Sequence, residues 1–450
     1  MQQTLPQNLI RLAQALPKPL YVVGGAVRDF LANLSTSSPK DWDICAPLSP
    51  DEFIPVAAAC GFTACAVYKN TGTVKLKDER GAEYEFCCFR SDEYVRGEHR
   101  PSRVYFTDDI LLDAKRRDFT CNAVYYDIQK DEYVDPLQDG LSSIQERRLS
   151  TVVNADKVFG EDGLRLMRLA RQTATLGFTP DDDCVRGAQA NAHLIEDISP
   201  ERIFTELRAI LVADTKYGIP NGHYRGLKTL DSIGVLDKIL PELTLGRGMT
   251  QRADFHDHDV LEHSLRATLY ADTSIRFAAL LHDVGKPFCE IRDGSSHEHP
   301  IEGARIARDI LTRLQAPKKL IEQTATLIEL HMYDLDGKTG ENKLKRFLVK
   351  HYDILNELLL VKQADYSGCK DDTGVAPTCK RWRALLSKMQ EKHTPFTLKE
   401  LAVSGKDLLD AGLPAPRLSG ILQRLLLHTA VIPEDNQKER LIKLAYHFEP

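Results

Sequence analysis

The amino-acid sequence predicts an α+β protein, with an N-terminal mixed sheet flanked by helices followed by an all-helical neck, body and tail. Two observations carry this. Over residues 20–135 short β-like runs alternate with turns, in LYVVGG, WDICAP, TGTVKLKD, AEYEFCCF, SRVYF and AVYYD. After Gly160 the period changes: Leu164, Met167, Leu169 and Ala170 are spaced as on a helix, and helix-like runs dominate to the end.

Residues 1–19 carry apolar side chains at Leu9, Ile10, Leu12, Ala13 and Leu16, the spacing of an amphipathic helix. They lack the apolar block of a signal peptide, and no later run is long enough to span a membrane. The 450 residues exceed one compact core, and usual domain sizes point to about three units. With 42% hydrophobic and 28% charged residues the composition excludes a disordered chain. A net charge of −6 excludes one that is basic all over, so a nucleic-acid partner would be held by local patches or by shape. The ten cysteines contain no CxxC pair and read as reduced thiols in a cytoplasm.

In the sheet region LYVVGGAVRDFL reads as a strand running through Gly24 and Gly25 into a helix that carries Arg28. Backbone N–H groups and a helix N-terminus there can face a phosphate. The next strand carries Asp41 and Asp43, whose alternation puts both carboxylates on one face. Two close like charges repel unless a cation neutralises them, which is how a two-Mg²⁺ site is built. Glu85, in YEFCCFR, is either a third carboxylate for the same metals or a solvent-facing residue on an alternating strand. In KRRDFTCNA, Lys115, Arg116 and Arg117 offer a triphosphate three cations next to Asp118 and Asn122.

GGAVRD, DWD and RRDFT–NA, with EDGLR at 161–165 and ERIFTEL at 201–207, resemble in order the motifs of class II tRNA nucleotidyltransferases and the related bacterial poly(A) polymerases. The resemblance implies metal-dependent transfer of NMP from an NTP to an RNA 3′-hydroxyl, with Asp41 and Asp43 holding two metals. The partners it implies are ATP, CTP and the 3′ end of a tRNA acceptor stem.

EDGLR is expected to open a helix on which the i, i+3 spacing places Asp162 and Arg165 on one face. A carboxylate accepting from an exocyclic amine and a guanidinium donating to a ring acceptor satisfy both C and A, whereas G and U leave polar groups unpaired. In the family the matching residues act as a protein template for CTP and ATP. The segment 89–106, FRSDEYVRGEHRPSRVYF, resembles the flexible loop that distinguishes members adding the terminal A from CC-only members. Neck cations, including Arg168, Arg171, Lys216 and Arg225, are candidates for phosphate contact.

The helical part carries a second constellation. His263 in DVLEHSLRA and the adjacent His282 and Asp283 in ALLHDVGKP suit a divalent-metal site with nitrogen and oxygen ligands. His299, His331 and Asp365 follow, and the succession resembles an HD phosphohydrolase domain. That resemblance implies metal-activated hydrolysis of phosphoesters such as 2′,3′-cyclic phosphates, with Mn²⁺, Ni²⁺ or another divalent ion. His256, His258, Asp259 and His297 stand nearby, either supporting the ligands from behind or as exposed polar groups.

Segments 403–413 and PEDNQKERLIKLA resemble the family's tail, with Ala415 where a glycine is usual between the prolines. The expected division is a head over 1–150, a neck and body over 151–250, an HD domain over 251–370 and a tail over 371–450. Breaks are expected at 179–183, 217–226, 337–341 and 369–377. Full CCA addition is the first reading. A-only addition, poly(A) synthesis, and an HD hydrolase or RNA-binding protein with an inactive head are the rivals.

Overall fold

A computed structural model describes residues 1–34, 41–94, 101–251, 254 and 257–448, with the side chain of Asp41 outside that description. Chain contacts divide it into two units, Met1–Pro241 and Glu242–Pro450. None of the expected breaks falls at that boundary.

In the first unit the strands of three residues or more are Tyr21–Val23 (β1), Asp41–Ala46 (β2), Phe62–Tyr68 (β3), Thr73–Asp78 (β4), Glu83–Cys88 (β5), Arg90–Glu93 (β6), Arg103–Phe106 (β7), Tyr125–Asp127 (β8) and Glu132–Val134 (β9). Seven form a mixed sheet in the order β3-β4-β5-β2-β1-β8-β9, in which β2 and β5 are the parallel neighbours. One buried face sets the register. In β4 Val74 and Leu76 point inward while Lys75 and Lys77 face out, and in β5 Tyr84 and Phe86 are buried between Glu83 and Glu85. Phe53, from the helix Pro50–Ala59, stacks on Phe86 with ring centroids 3.7 Å apart.

The expected strands are present, and β3, β6 and β9 join them, as does a two-residue parallel pair of Arg148–Leu149 with Thr179–Pro180. β3 is an edge strand that buries only Phe62, so FTACAVY shows no apolar alternation. β6 and β9 are short and charged. β6 pairs with β7 as a two-stranded ribbon, so the stems of the segment 89–106 are ordered, while residues 95–100 lie outside the described residues.

The helices that position the first site are Gly25–Leu31 (α1), Ala155–Glu161 (α2), Leu164–Leu176 (α3), Pro200–Leu211 (α4) and Gly222–Ser232 (α5). α3 is buried along most of its length and packs on α4 and α5. The break expected over 217–226 is a tight turn with Gly218 and Asn221 in the left-handed region, and α5 starts inside it.

The second unit is helical: Val260–Tyr270 (α6), Arg276–Leu281 (α7), Lys286–Asp293 (α8), His299–Arg313 (α9), Lys318–Leu330 (α10), Leu355–Lys370 (α11) and Pro377–Glu391 (α12), with Glu341–Lys350 between α10 and α11, precede a tail that includes Leu418–Thr429 and Lys438–His447. α6 packs on α11 and α9 on α10, over a core that includes Leu348, Leu358, Trp382 and Leu425. Asp259 caps α6 by accepting from the Glu262 N–H at 2.7 Å. Ala415 opens a short 3₁₀ turn and has no positive φ, so alanine fits there without strain. Among the described residues no helix is long and apolar enough to cross a membrane.

Candidate functional site

The first unit holds a cavity of about 470 Å³ lined in part by residues of β1, β2 and β5. Asp43 and Glu85 are register partners on the parallel pair β2/β5, so their side chains leave the sheet side by side on the exposed face. Glu85 is thus the candidate third carboxylate beside Asp43. Asp41 lies on the same strand, two residues before Asp43, and its side chain lies outside the described residues. Gly24, the N-cap of α1, has φ +76°, and a Cβ there would stand 3.1 Å from Asp43 Oδ2. Only glycine combines that backbone with so close an approach to the carboxylate.

The cations arrive through a buried network. Arg116 and Arg117 line the cavity, whereas Lys115 points to solvent. Both arginines pair with Asp113, at 2.7 and 3.0 Å, and Tyr125 donates to the same carboxylate at 2.7 Å. Burial alone would raise the Asp113 pKa; the two guanidiniums outweigh it and hold it at about 2. Sequence reasoning missed Asp113, which looks like an ordinary helix charge in LLDAKRR. Asp118 accepts from the Phe119 N–H, from Asn122 and from Arg168 Nη2 at 2.8, 2.9 and 2.7 Å. Asn122 in turn accepts from Arg28, whose Nη2 donates to Asp29 at 2.6 Å, and Tyr217 donates to the other Asp29 oxygen. Arg168, Arg171 and Lys216 line the same cavity; Arg225 does not.

Asp162 and Arg165 both line the cavity, but not from one helix face as expected. Asp162 is extended, ends α2, and caps α3 by accepting from the Leu164 N–H at 3.0 Å. The interruption falls at Asp162, and Gly163 is already helical. A Cβ on Gly163 would stand 2.4 Å from the Leu194 carbonyl oxygen, so the chain crosses another segment there as only glycine can. Arg165 is buried and donates to the Val158 carbonyl and Glu161 at 2.9 Å and to the Arg116 carbonyl at 3.0 Å, with its guanidinium over the Tyr94 ring. Arg165 and the arginine pair are therefore joined through the backbone of Arg116.

In the second unit the six expected ligands converge. His263 comes from α6, His282 and Asp283 from the end of α7, His299 from the first turn of α9, His331 from the end of α10 and Asp365 from α11. His263 Nε2 is 3.0 Å from His282 Nε2, 3.3 Å from Asp283 and 3.2 Å from Asp365. Asp283 Oδ1 is 3.3 Å from His299 Nε2 and 3.9 Å from that of His331. The Nδ1 atoms of His282, His299 and His331 contact the carbonyls of Ala279, Ser296 and Ile328 at 2.8, 2.6 and 2.6 Å. A proton on each Nδ1 leaves the Nε2 lone pair directed into the cluster. The buried Nε2 atoms of His299 and His331 have no hydrogen-bond partner. Convergent orphaned lone pairs of this kind fit a divalent cation.

Charge within the cluster agrees. Burial opposes protonation of His282, yet Asp283 and Asp365 outweigh it and push it up to about 10. Burial, with His282 and His299 alongside, pulls His331 down to about 3. Two residues unread from sequence complete the surroundings. Lys286 Nζ lies 2.6 Å from Asp283. Lys362, buried on α11 three residues before Asp365, donates to the carbonyls of His331 and Tyr333 at 2.6 and 2.7 Å and lies over Trp382. A lysine in the apolar run of NELLLVKQAD is the signal that marks it. His258 lies 3.8 Å from Asp371, Asp259 serves as a cap, His297 is exposed, and His256 lies outside the described residues.

Family models match three stretches: a poly A polymerase head domain over residues 20–150, a probable RNA and SrmB-binding site of polymerase A over 177–245, and an HD domain over 260–367. An A-adding tRNA nucleotidyltransferase of Deinococcus radiodurans is 32% identical over 433 residues, covering 91% of each chain. A multifunctional CCA protein of Xanthomonas campestris is 28% identical over 428 residues, 90% of this chain and 96% of that one. The fold matches that of the Bacillus stearothermophilus CCA-adding enzyme crystallised with CTP, with a TM-score of 0.65 at 23% identity over 98% of this chain and 96% of that one. By identity sustained along nearly its whole length, and with matches to head, RNA-binding and HD segments, the chain belongs to the HD-bearing tRNA nucleotidyltransferases.

Proposed function

We propose that this enzyme adds the terminal C, C and A to tRNA 3′ ends from CTP and ATP, without a nucleic-acid template. The carrying observation is the register pairing of Asp43 with Glu85 in a cavity that also receives Arg116, Arg117 and the Asp162–Arg165 pair. The RNA 3′-oxygen attacks the α-phosphorus, its proton leaves to solvent, and the bond to pyrophosphate breaks. Two Mg²⁺ held by Asp41 and Asp43, with Glu85 beside them, would activate the hydroxyl and offset charge on the leaving group. Arg117, Arg116 and Arg168 hold the triphosphate, and Gly24 and Gly25 let it approach the backbone. Asp118 and Asn122 keep Arg168 and Arg28 in place. Asp162 and Arg165 select the base: the buried polar edge would be left unpaired by G or U. Replacing Arg165 with Ala should relax discrimination against UTP and GTP; unchanged selectivity would move the template elsewhere.

Labelled CTP or ATP offered with tRNA ending at the discriminator base, at C or at CC tests the whole reading. Incorporation of C on the first two and of A on the third is expected. A alone on CC would favour A-only addition, which the Deinococcus relative's activity keeps as the second reading. Long A tracts would identify a poly(A) polymerase, and no incorporation with metal present would overturn the transferase.

The second unit supports phosphoester hydrolysis. A Mn²⁺, Ni²⁺ or similar ion held by His263, His282, Asp283, His299, His331 and Asp365 would supply an activated water. Lys286, at 2.6 Å from Asp283 on the wall of a cavity of about 1090 Å³, is placed to meet a phosphate there. Release of phosphate from a 2′,3′-cyclic nucleotide checks this, and no turnover with any divalent metal would leave the unit a structural role. The division into head 1–150, neck and body 151–250, HD domain 251–370 and tail 371–450 is the assignment these roles suggest.

A further inference from the structure

Cys369 brings a sulfur into the histidine cluster. Its Sγ, a ring nitrogen of His263 and a carboxylate oxygen of Asp365 all lie within 4.8 Å of one another. Cys369 follows Asp365 by four residues on α11, so one helix face presents both side chains. The sulfur is half-buried and lines the same cavity as Asp283 and His299. A second set of donors, from Asp283, His299 and His331, meets the same distance limit and shares no member with the first. In that second set the buried Nε2 atoms of both histidines have no hydrogen-bond partner, which independently marks the cluster as built around a cation.

Donors bound to one tetrahedral ion with bonds of 2.0–2.3 Å stand about 3.5 Å apart, so closing a 4.8 Å triad takes side-chain adjustment rather than backbone movement. The helix fixes Cys369 and Asp365 relative to each other, leaving rotamer changes to bring the sulfur in. A thiolate donor favours soft or borderline ions, whereas carboxylate and imidazole alone serve Mn²⁺ equally well.

We propose that Cys369 ligates the metal of the HD centre together with His263 and Asp365, giving that centre a thiolate donor and a preference for Zn²⁺ and Co²⁺ over Mn²⁺. The inference rests on the reading of the cluster as a metal centre. On binding, a sulfur–metal bond forms and the thiol proton passes to solvent; no electron is transferred.

The test uses the full-length protein stripped with a chelator and titrated with Co²⁺, Zn²⁺ and Mn²⁺, with absorption and calorimetry as readouts. The parent protein should show a thiolate-to-cobalt charge-transfer band in the near ultraviolet that is absent from Cys369→Ser and also from His263→Gln. Zn²⁺ affinity should fall about tenfold or more in Cys369→Ser while Mn²⁺ affinity stays within about twofold. Cys369→Ala, run alongside, covers the case in which serine perturbs the helix. Co²⁺ binding without the band, or a band that survives in both Cys369 variants, would overturn thiolate ligation and leave the metal centre standing. If no divalent ion binds the parent protein, the metal-centre reading itself falls.

Discussion

The head cavity and the histidine cluster both centre on carboxylates, and they treat burial in opposite ways. In the head the buried carboxylates, Asp113 and Asp118, are neutralised by Arg116, Arg117 and Arg168, while Asp43 and Glu85 stay exposed. In the second unit buried Asp283 faces four imidazoles whose lone pairs converge without enough protein cations to satisfy them, Lys286 being the fixed positive charge beside it. The first arrangement suits a substrate that arrives with its own charge and metals. The second suits an ion that stays. Arginine can only donate to a carboxylate, whereas an imidazole beside one can also turn a lone pair to a cation.

The sharpest way to break this contrast is to disable one site and watch the other. Asp43→Asn should lower nucleotide incorporation on the order of a thousandfold, since losing a metal-binding carboxylate removes several kcal/mol of transition-state stabilisation. Mn²⁺ binding by the histidine cluster should be untouched. Retention of a tenth of the parent rate would mean that Asp43 does not hold the reacting metals. The mirror experiment is Asp283→Asn, for which Mn²⁺ affinity should fall by about a hundredfold in calorimetry, with CTP and ATP incorporation unchanged. An incorporation defect there would show that the two chemistries are coupled.

Much of both sites is legible in the sequence because their chemistry is carried by local motifs. GGAVRD, DWD, RRDFT and the HD pair fix residue types at spacings that survive any packing around them. What escapes is set by distant contacts. Asp162 and Arg165 read as partners on one helix because nothing local reveals that the backbone turns extended at Asp162, just before Gly163 passes the Leu194 carbonyl. β3 escapes because an edge strand burying one residue has no alternation to detect. Asp113 escapes because its partners are the very arginines assigned to substrate, so its role appears only once all three side chains are placed.

Asp113 also offers a test by pH. Its folded pKa of about 2 lies below the usual aspartate value, so its contribution is fully present above the unfolded pKa and is lost as the pH falls through about 2. That contribution is about 2 kcal/mol. Unfolding of the parent protein followed by denaturant between pH 5 and 2 should therefore become easier, and Asp113→Asn should flatten the slope by about that amount. The variant should also raise the KM for CTP and ATP, because Arg116 and Arg117 lose the group that orients them. An unchanged slope would place the acid-sensitive charge elsewhere in the head, with Asp118 the next candidate.

The smallest expected effect concerns how the histidine cluster is held. Lys362 ties the turn that carries His331 to the helix that carries Asp365, through its two hydrogen bonds to the carbonyls of His331 and Tyr333. Lys362→Met keeps the length of the side chain and its packing on Trp382 but removes both donors, leaving two carbonyls unsatisfied and the His331 turn free to drift. Support of this kind for a metal ligand is worth about tenfold in affinity, well below the loss of a ligand itself. Mn²⁺ affinity should fall by that amount with incorporation unaffected, and Lys362→Arg, which keeps donors on the same stem, should recover part of it. If Lys362→Met binds Mn²⁺ as tightly as the parent, the cluster is held by its own helices, and the convergence of its lone pairs needs no strap between α10 and α11.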